Sequence, residues 1–386
     1  MDPTARATET LARQLAATAV ERDRVGGHAA AAREDVRASG LLALTIPAEF
    51  GGAGADWATF YASLRRIARA DSALAHLYGF HHLQMATLLL FGTRSQQQRQ
   101  FGDTVTQRLF WGNALNPLDQ RAVATEAEGG WLLNGPKSFA SGSVGSDRLV
   151  VSAWHRPSES LVIATTATRR AGLTVRADWD AFGQKQTDSG TVEFERVTIA
   201  AGDVLLAPGT VQTPRMTLRT LVSQLIMANL YLGIAIGAYD EARQYTSEQT
   251  RAWQGSDVAR AIDDPIVQHR YGELRLRARA AEAVADDAAR GLDAAFARGG
   301  ALEASERGEL AIEIAQAKVL AHRAAMEISS QFFELTGARS TSQKLGLDRF
   351  WRNARVHTLH DPVDLKLREI GRHALAGQLP TPTAYS

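Results

Sequence analysis

In the first part of the chain apolar residues recur at helical rather than strand spacing. Ala5 to Arg24 is rich in alanine and charge, with Leu11, Leu15 and Val20 forming a rough apolar stripe, and predicts a helix. A second helix is predicted over His28 to Ser39, with Gly40 just past its end as the stop. The run from Ile46-Pro47 to Gly51-Gly52-Ala53-Gly54 reads as an irregular connection. Ala55 to Ala70 repeats Phe60, Leu64 and Ile67 at helical spacing, and Asp71 or Ser72 then stands ready to cap the next helix. That helix, Ala73 to Phe91, is mostly apolar and so predicted to be buried, yet it carries His76, Phe80, His81, His82 and Gln84.

The texture changes near Phe110. Between Ala122 and Ile199 short runs rich in Val, Ile and Thr alternate with turns: Arg148 to Trp154, Leu161 to Thr166, Leu173 to Val175 and Thr191 to Ile199. Gly129-Gly130 predicts a hairpin ahead of Trp131-Leu132-Leu133, and Gly183 and Gly190 punctuate the last pair of strands. Beyond Pro214 helical spacing returns in three segments of more than 30 residues each: Arg215 to Thr250, Asp264 to Arg298 and Ala304 to Leu335. A last helix is expected over Asp361 to Leu375, with Asp361 as N-cap and Pro362 as its first residue. The expected fold class is α+β and multidomain. It has an N-terminal α-helical domain over residues 1–110, a middle β domain of barrel or sandwich type over 111–210, and a C-terminal four-helix bundle over 211–386.

Composition narrows the function classes. With 386 residues, 45% of them hydrophobic, the chain can bury a sizeable core in two or three packed units. A net charge of +1 carries no polyanion signature, so no nucleic-acid partner is expected. The lack of cysteine excludes disulfides, thiolate metal sites, iron–sulfur clusters and a cysteine nucleophile. The start, Met-Asp-Pro-Thr-Ala-Arg, lacks the apolar core of a secretory signal. The apolar run Leu221 to Tyr239 is near spanning length but is interrupted by Ser223, Gln224 and Asn229, so a buried bundle helix is expected rather than a membrane span. The expectation is a soluble, cytoplasmic protein.

The chemistry concentrates between Arg349 and Pro362. His357 and His360 stand three residues apart among Arg349, Arg352 and Arg355, with Phe350 and Trp351 close by, in the turn ahead of the predicted last helix. Imidazole transfers protons near neutrality, and guanidinium suits a phosphate or other anion. The plainer reading is that these histidines hydrogen-bond backbone carbonyls at a helix start. With Asp361 they fall short of a metal ligand set, and no metal is expected. No G-x-G-x-x-G fingerprint for NAD(P)H occurs.

The domain order, the Ile46 to Gly54 connection, Asn134-Gly135-Pro136-Lys137-Ser138-Phe139-Ala140-Ser141-Gly142 and Thr250-Arg251 together resemble the acyl-CoA dehydrogenase fold. That resemblance implies a flavin between the β domain and the bundle. Dehydrogenases of this fold remove a proton with a glutamate while hydride leaves to the flavin. In familiar members the glutamate follows a tyrosine and precedes Gly-Thr; here the place reads His360-Asp361-Pro362. Other members keep the base on the first bundle helix, but no Asp or Glu occurs between Asp203 and Asp240. An FAD-dependent acyl-CoA dehydrogenase using Asp361 is thus the alternative, and Asp361 is read as a structural cap.

His357-Thr358-Leu359-His360, preceded by Trp351-Arg352-Asn353-Ala354-Arg355, resembles the reduced-flavin monooxygenases built on this fold, of the dibenzothiophene and methanesulfinate monooxygenase type. So do His76-Leu77-Tyr78-Gly79-Phe80, Phe110 to Pro117, Asp178 to Gln184 and Gly337-Ala338-Arg339. The resemblance implies a monooxygenase that uses reduced FMN, rather than FAD, to oxygenate a small organosulfur compound, with O2 as co-substrate and a separate NAD(P)H:flavin reductase as partner. It implies a flavin C4a-peroxide that must be protonated before oxygen reaches sulfur, a task for a histidine near its ordinary pKa. The implied catalytic residues are His76, His357 and His360. Phe80, Asn113 and Ser141 would contact the flavin, Trp179 would flank it, and Arg251 and Arg339 would hold its phosphate. Such arginines often come from a neighbouring subunit, which implies a homotetramer. Phe80 stands where the dibenzothiophene enzyme has a tyrosine, which leaves the substrate open. A flavin-dependent N-hydroxylating relative is a further alternative. Taken singly, His76, Trp179, Ser141 and the two arginines each have a structural reading as core, turn or ion-pair residues.

Overall fold

Asp2 accepts a hydrogen bond from the Ala5 amide and Pro3 fills the first turn, so α1 (Pro3–Val25) starts with its exposed amides partly satisfied. The structure is a computed structural model that describes residues 2–386. Leu11 and Leu15 turn the inner face of α1 into the main core. α2 (Ala30–Ala38) stops as expected, with Gly40 in the left-handed region at φ +75°. α3 (Trp57–Ala70) is capped by Asp56, and α4 (Ser72–Phe91) by Asp71, whose carboxylate accepts from the Ala73 and Leu74 amides. α5 (Arg94–Gln107) begins with a reciprocal Thr93–Gln96 capping box and closes this helical part.

The middle part is β1 (Trp111–Ala114), β2 (Val123–Ala127), β3 (Gly130–Lys137), β4 (Arg148–His155), β5 (Ser160–Ala167), β6 (Leu173–Val175), β7 (Val192–Ala200) and β8 (Val204–Leu206). The expected barrel or sandwich takes the form of one mixed sheet, ordered β6-β7-β3-β2-β4-β5-β8. β1 pairs parallel to β4, placing Asn113 opposite Val150. Gly129, at φ +73°, makes the tight turn of the β2–β3 hairpin. β1 is also the strand that packs against α4, which brings the sheet to the buried histidine helix.

The last part contains α6 (Leu218–Glu248), α7 (Pro265–Arg298), α8 (Ala304–Gln331), α9 (Phe333–Thr336), α10 (Asp348–Thr358) and α11 (Val363–Ala376). α6 is long and apolar enough to cross a membrane, but 94% of its most apolar window is buried against α3, α4, α7 and α8. Gly233 and Gly237 allow that contact: a side chain at either would collide with Ala68 or with the Arg69 carbonyl of α3.

Two expectations about the C-terminal region are corrected. The stretch around His357 is a helix, not a turn: Arg349, Phe350, Asn353, Ala354, His357 and Thr358 form a buried stripe at helical spacing, and His357 lies in its last turn. Nor does Asp361 cap the next helix. Pro362 holds that position, and the Asp361 carboxylate is instead turned inward onto Lys318. A cap contributes only about 0.5–2 kcal/mol. Leaving a buried ammonium without its counter-charge costs more, about 3–5 kcal/mol, so the ion pair wins.

Candidate functional site

Three histidines on α4 separate into two kinds. The His81 ring nitrogens lie on the Leu42 carbonyl (2.8 Å) and the Trp111 amide (3.2 Å). Those of His82 lie on the Leu41 carbonyl (3.0 Å) and the Thr45 hydroxyl (2.8 Å). Both therefore brace the core. His76 is equally enclosed, but neither ring nitrogen has a hydrogen-bond partner. An orphaned buried imidazole costs on the order of 1–3 kcal/mol, a penalty that fold stability alone does not explain.

His76, Phe80 and Gln84 are four residues apart and share one face of α4. The Phe80 ring stacks on His76 with centroids 4.1 Å apart, and the His357 ring lies 4.9 Å from His76. Burial pushes His76 down to about 3, helped by the charge of His360, and drives His357 well below its ordinary value. Both are thus neutral at physiological pH, a correction to the expectation of a proton donor near its ordinary pKa. The cause is desolvation: neither ring has a carboxylate to hold a positive charge.

His357 is oriented from two sides. Its carbonyl accepts from the Tyr231 hydroxyl at 2.8 Å, and the Gln184 side-chain amide nitrogen lies 3.1 Å from Nδ1. That same amide nitrogen lies 3.4 Å from the Asn353 carbonyl, where an amide oxygen would be repelled, so the nitrogen rather than the oxygen faces Nδ1. A neutral His357 whose Nδ1 accepts would carry its proton on Nε2.

His360 has a different environment. It is partly exposed, its Nδ1 lies 3.0 Å from Asp361 Oδ1, and its ring meets Tyr385 edge-on at 5.5 Å. Asp361 is buried and paired with Lys318, whose ammonium also donates to Gln224 Oε1 at 2.6 Å. Burial lowers Lys318 to about 8 despite Asp361 beside it. Burial raises Asp361, but the His360 hydrogen bond and Lys318 outweigh it and hold the carboxyl below the usual carboxylate range. Both partners are ionised near neutrality. The C-terminal segment covers this turn: Lys366 holds the Tyr385 carbonyl, and Arg307 holds that of Ser386 at 2.6 Å.

Across the gap from α4 stands the sheet. Gln84 donates to Asn113 Oδ1 at 3.2 Å, and the Asn113 amide donates to the Ser141 carbonyl at 2.8 Å. The Ser141 and Ser189 hydroxyls share a hydrogen bond of 3.0 Å. Trp179 is half-buried, with its indole N–H on the Gln184 carbonyl at 2.9 Å. Phe139 is 62% exposed beside it, edge to face at 5.9 Å and held at φ +56°.

The structure thus gathers His76, Phe80 and His357, links His360 to them through its charge, and joins Asn113 and Ser141 to the same helix face. It does not bring Arg251 or Arg339 to that place. Both are exposed, and the Thr250 hydroxyl on the Thr336 carbonyl (3.3 Å) ties their segments together at the far end of the bundle. Seventeen helical positions separate Tyr231 from the end of α6 at Glu248, about 25 Å, and Arg251 lies just past that end.

Sequence reasoning missed Lys318, Gln184, Asn353 and Tyr385 as parts of this arrangement. Lys318 had a signal, since it interrupts the apolar stripe Ile314, Ala315, Ala317, Ala321 of α8. Gln184 and Asn353 lie within the motifs that carry the resemblance, but their roles, like that of Tyr385, depend on contacts between distant segments. The residues present fit a flavin. Orphaned acceptors on His76, Gln84 and Gln184 await polar ring edges, and exposed Phe139 with half-buried Trp179 offers a wall for a planar ring.

Comparison with known proteins agrees with the geometry. Residues 4–107 match the model of the acyl-CoA dehydrogenase N-terminal domain, and residues 225–364 that of its C-terminal domain. The chain is 48% identical over 377 residues to a probable FMNH2-dependent monooxygenase, SfnC, of Pseudomonas putida, covering 97% of this chain and 95% of that protein. The structure of methanesulfinate monooxygenase MsuC from Pseudomonas fluorescens superimposes with a TM-score of 0.97 at 47% identity, covering 100% of both chains. TdsC from Paenibacillus sp. A11-2, a dibenzothiophene monooxygenase solved with FMN and indole, gives 0.96 at 39% identity, again over 100% of both. This chain therefore belongs to the acyl-CoA dehydrogenase family, in the branch of its flavin-dependent monooxygenases.

Proposed function

We propose that this chain is the oxygenase of a two-component system, a reduced-FMN-dependent monooxygenase that oxygenates a small organosulfur compound of the sulfinate, sulfone or thiophene type. The observation that carries the reading is the pair of neutral, buried imidazoles, His76 and His357, set 4.9 Å apart where a dehydrogenase would need a free carboxylate. The one carboxylate near them, Asp361, is engaged by Lys318 and His360 and is not available as a base. Bound reduced FMN would supply the electrons with which O2 is split, one oxygen atom going to sulfur and the other to water.

The chain's own residues set the conditions for that chemistry. Asn113, Ser141 and Gln84 would hold the polar part of a bound flavin and Trp179 and Phe139 would offer it an apolar wall, while Phe80 stacks on His76 and helps to exclude water. His357 presents Nε2–H as a fixed donor. His360, held through Nδ1 on Asp361, leaves Nε2 free to exchange protons at the edge of the site.

A homotetramer is part of the proposal. What supports it is the placement of Arg251 and Arg339, both exposed and with Arg251 beyond the end of α6, where a neighbouring subunit's flavin phosphate would meet them. Cytoplasmic residence follows from the need for a reductase fed by NAD(P)H.

The test mixes the purified chain with chemically reduced FMN, oxygen and methanesulfinate, a dialkyl sulfone or dibenzothiophene. The expected result is a sulfur product carrying one atom from labelled O2. Hydrogen peroxide alone with every sulfur compound, together with anaerobic bleaching of oxidised flavin by an acyl-CoA, would establish a dehydrogenase instead.

A further inference from the structure

Gln184 lies where the three parts of the chain meet. It is 1% exposed, yet its backbone occupies the left-handed region at φ +52°, a conformation that a non-glycine residue keeps only when its surroundings enforce it. The enforcing contacts are visible. Its amide N–H donates to the Asn353 side-chain oxygen at 2.6 Å. Its carbonyl accepts from the Trp179 indole at 2.9 Å and from the Thr187 hydroxyl at 3.1 Å. Its side-chain nitrogen donates to Ser72 Oγ at 3.0 Å, at the start of the helix that carries His76, and to His357 Nδ1 at 3.1 Å. Gly183 lets this happen, because a side chain there would collide with the Arg352 carbonyl and the Asn353 amide of α10.

We propose that Gln184 is a positioning residue: it fixes His357, whose ring lies 4.9 Å from that of His76, as the Nε2–H tautomer, and through its carbonyl it holds the Trp179 indole. An ordinary core glutamine would satisfy its own oxygen. Here Oε1 is buried without a partner, while every donor of the side chain is committed to the site. The strained backbone is what points the carbonyl and the side chain to different parts of the chain at once. His357 has no other side-chain hydrogen-bond partner among the described residues, so its tautomer rests on this contact. The significance of that tautomer for catalysis rests on the function proposed above; the tautomer itself does not.

The experiment reads the imidazole nitrogens of the whole protein, free of flavin, labelled with 15N-histidine, His357 being assigned by its loss in His357→Asn. The wild-type signals are expected to show an unprotonated Nδ1 and a protonated Nε2. Nδ1–H or a charged imidazolium in the wild type overturns the proposal without any variant. Gln184→Glu, nearly isosteric but an acceptor, is expected to move the proton of His357 to Nδ1. It should lower oxygenated product per reduced flavin on the order of a hundredfold, with hydrogen peroxide made instead. Gln184→Met is expected to leave the two nitrogens in exchange between tautomers. A His357 signature unchanged in Gln184→Glu, or full coupling in either variant, refutes the positioning role. If the tautomer moves as expected while the wild type oxygenates no sulfur compound, the positioning stands and the proposed reaction falls.

Discussion

Replacing Lys318 by methionine removes a buried ammonium but little volume. In the protein, Lys318 and Asp361 show side-chain exposures of 3% and 5%, so water cannot take over the lost partner. Breaking such a buried pair from one side costs about 3–5 kcal/mol, because the remaining charge is left in a low-dielectric interior. His360 Nδ1 lies 3.0 Å from Asp361 Oδ1, so the carboxylate keeps that contact and the loss falls toward the lower end of the range. The double variant Lys318→Met/Asp361→Asn, which leaves no charge behind, should recover all but about 1–2 kcal/mol. Urea unfolding of the three proteins measures this. A gap below about 1 kcal/mol would refute the claim that Asp361 is an ionised, inward-facing anchor of His360.

Two further predictions concern the buried histidines and the distant arginines. Burial lowers His76 to about 3 and His81 to about 4, and His82 and His357 lie well below their ordinary value, so the unfolded chain binds more protons below pH 6.5. Stability present above that pH should fall on acidification by about 2 kcal/mol per histidine at pH 5, and a urea midpoint flat between pH 8 and 5 would contradict it. Arg251→Ala or Arg339→Ala should weaken FMN about tenfold to a hundredfold while leaving affinity for riboflavin and the melting temperature of the flavin-free protein unchanged. Equal losses for FMN and riboflavin would rule out a phosphate role.

Much of the fold was legible because hydrophobic spacing is local. The long α6, α7 and α8, the Asp71 cap of α4 and the Gly129 hairpin follow from residues within a turn or two of one another. The α10 segment was misread because Asp361-Pro362 has the local character of a helix start, which leaves His357 and His360 in the turn before it. Only packing against α6 and α8 makes Phe350, Ala354 and His357 an inner face. The candidate residues were legible in the same partial sense. Motif resemblance named His76, His357 and His360 and left out His81 and His82, whose ring nitrogens have hydrogen-bond partners while those of His76 have none.

By itself the sequence determined the order of helical, sheet and bundle parts, the buried character of α4 and α6, and the absence of any Asp or Glu between Asp203 and Asp240. The tertiary structure alone decided which imidazoles are neutral, which one rests on a carboxylate, and which tautomer His357 holds. These properties depend on desolvation and on hydrogen bonds between segments far apart in the chain, such as Gln184 with His357 and Lys318 with Asp361. Side-chain pattern records which residues want to be buried. It does not record what they meet there, and a histidine's charge is set by what it meets.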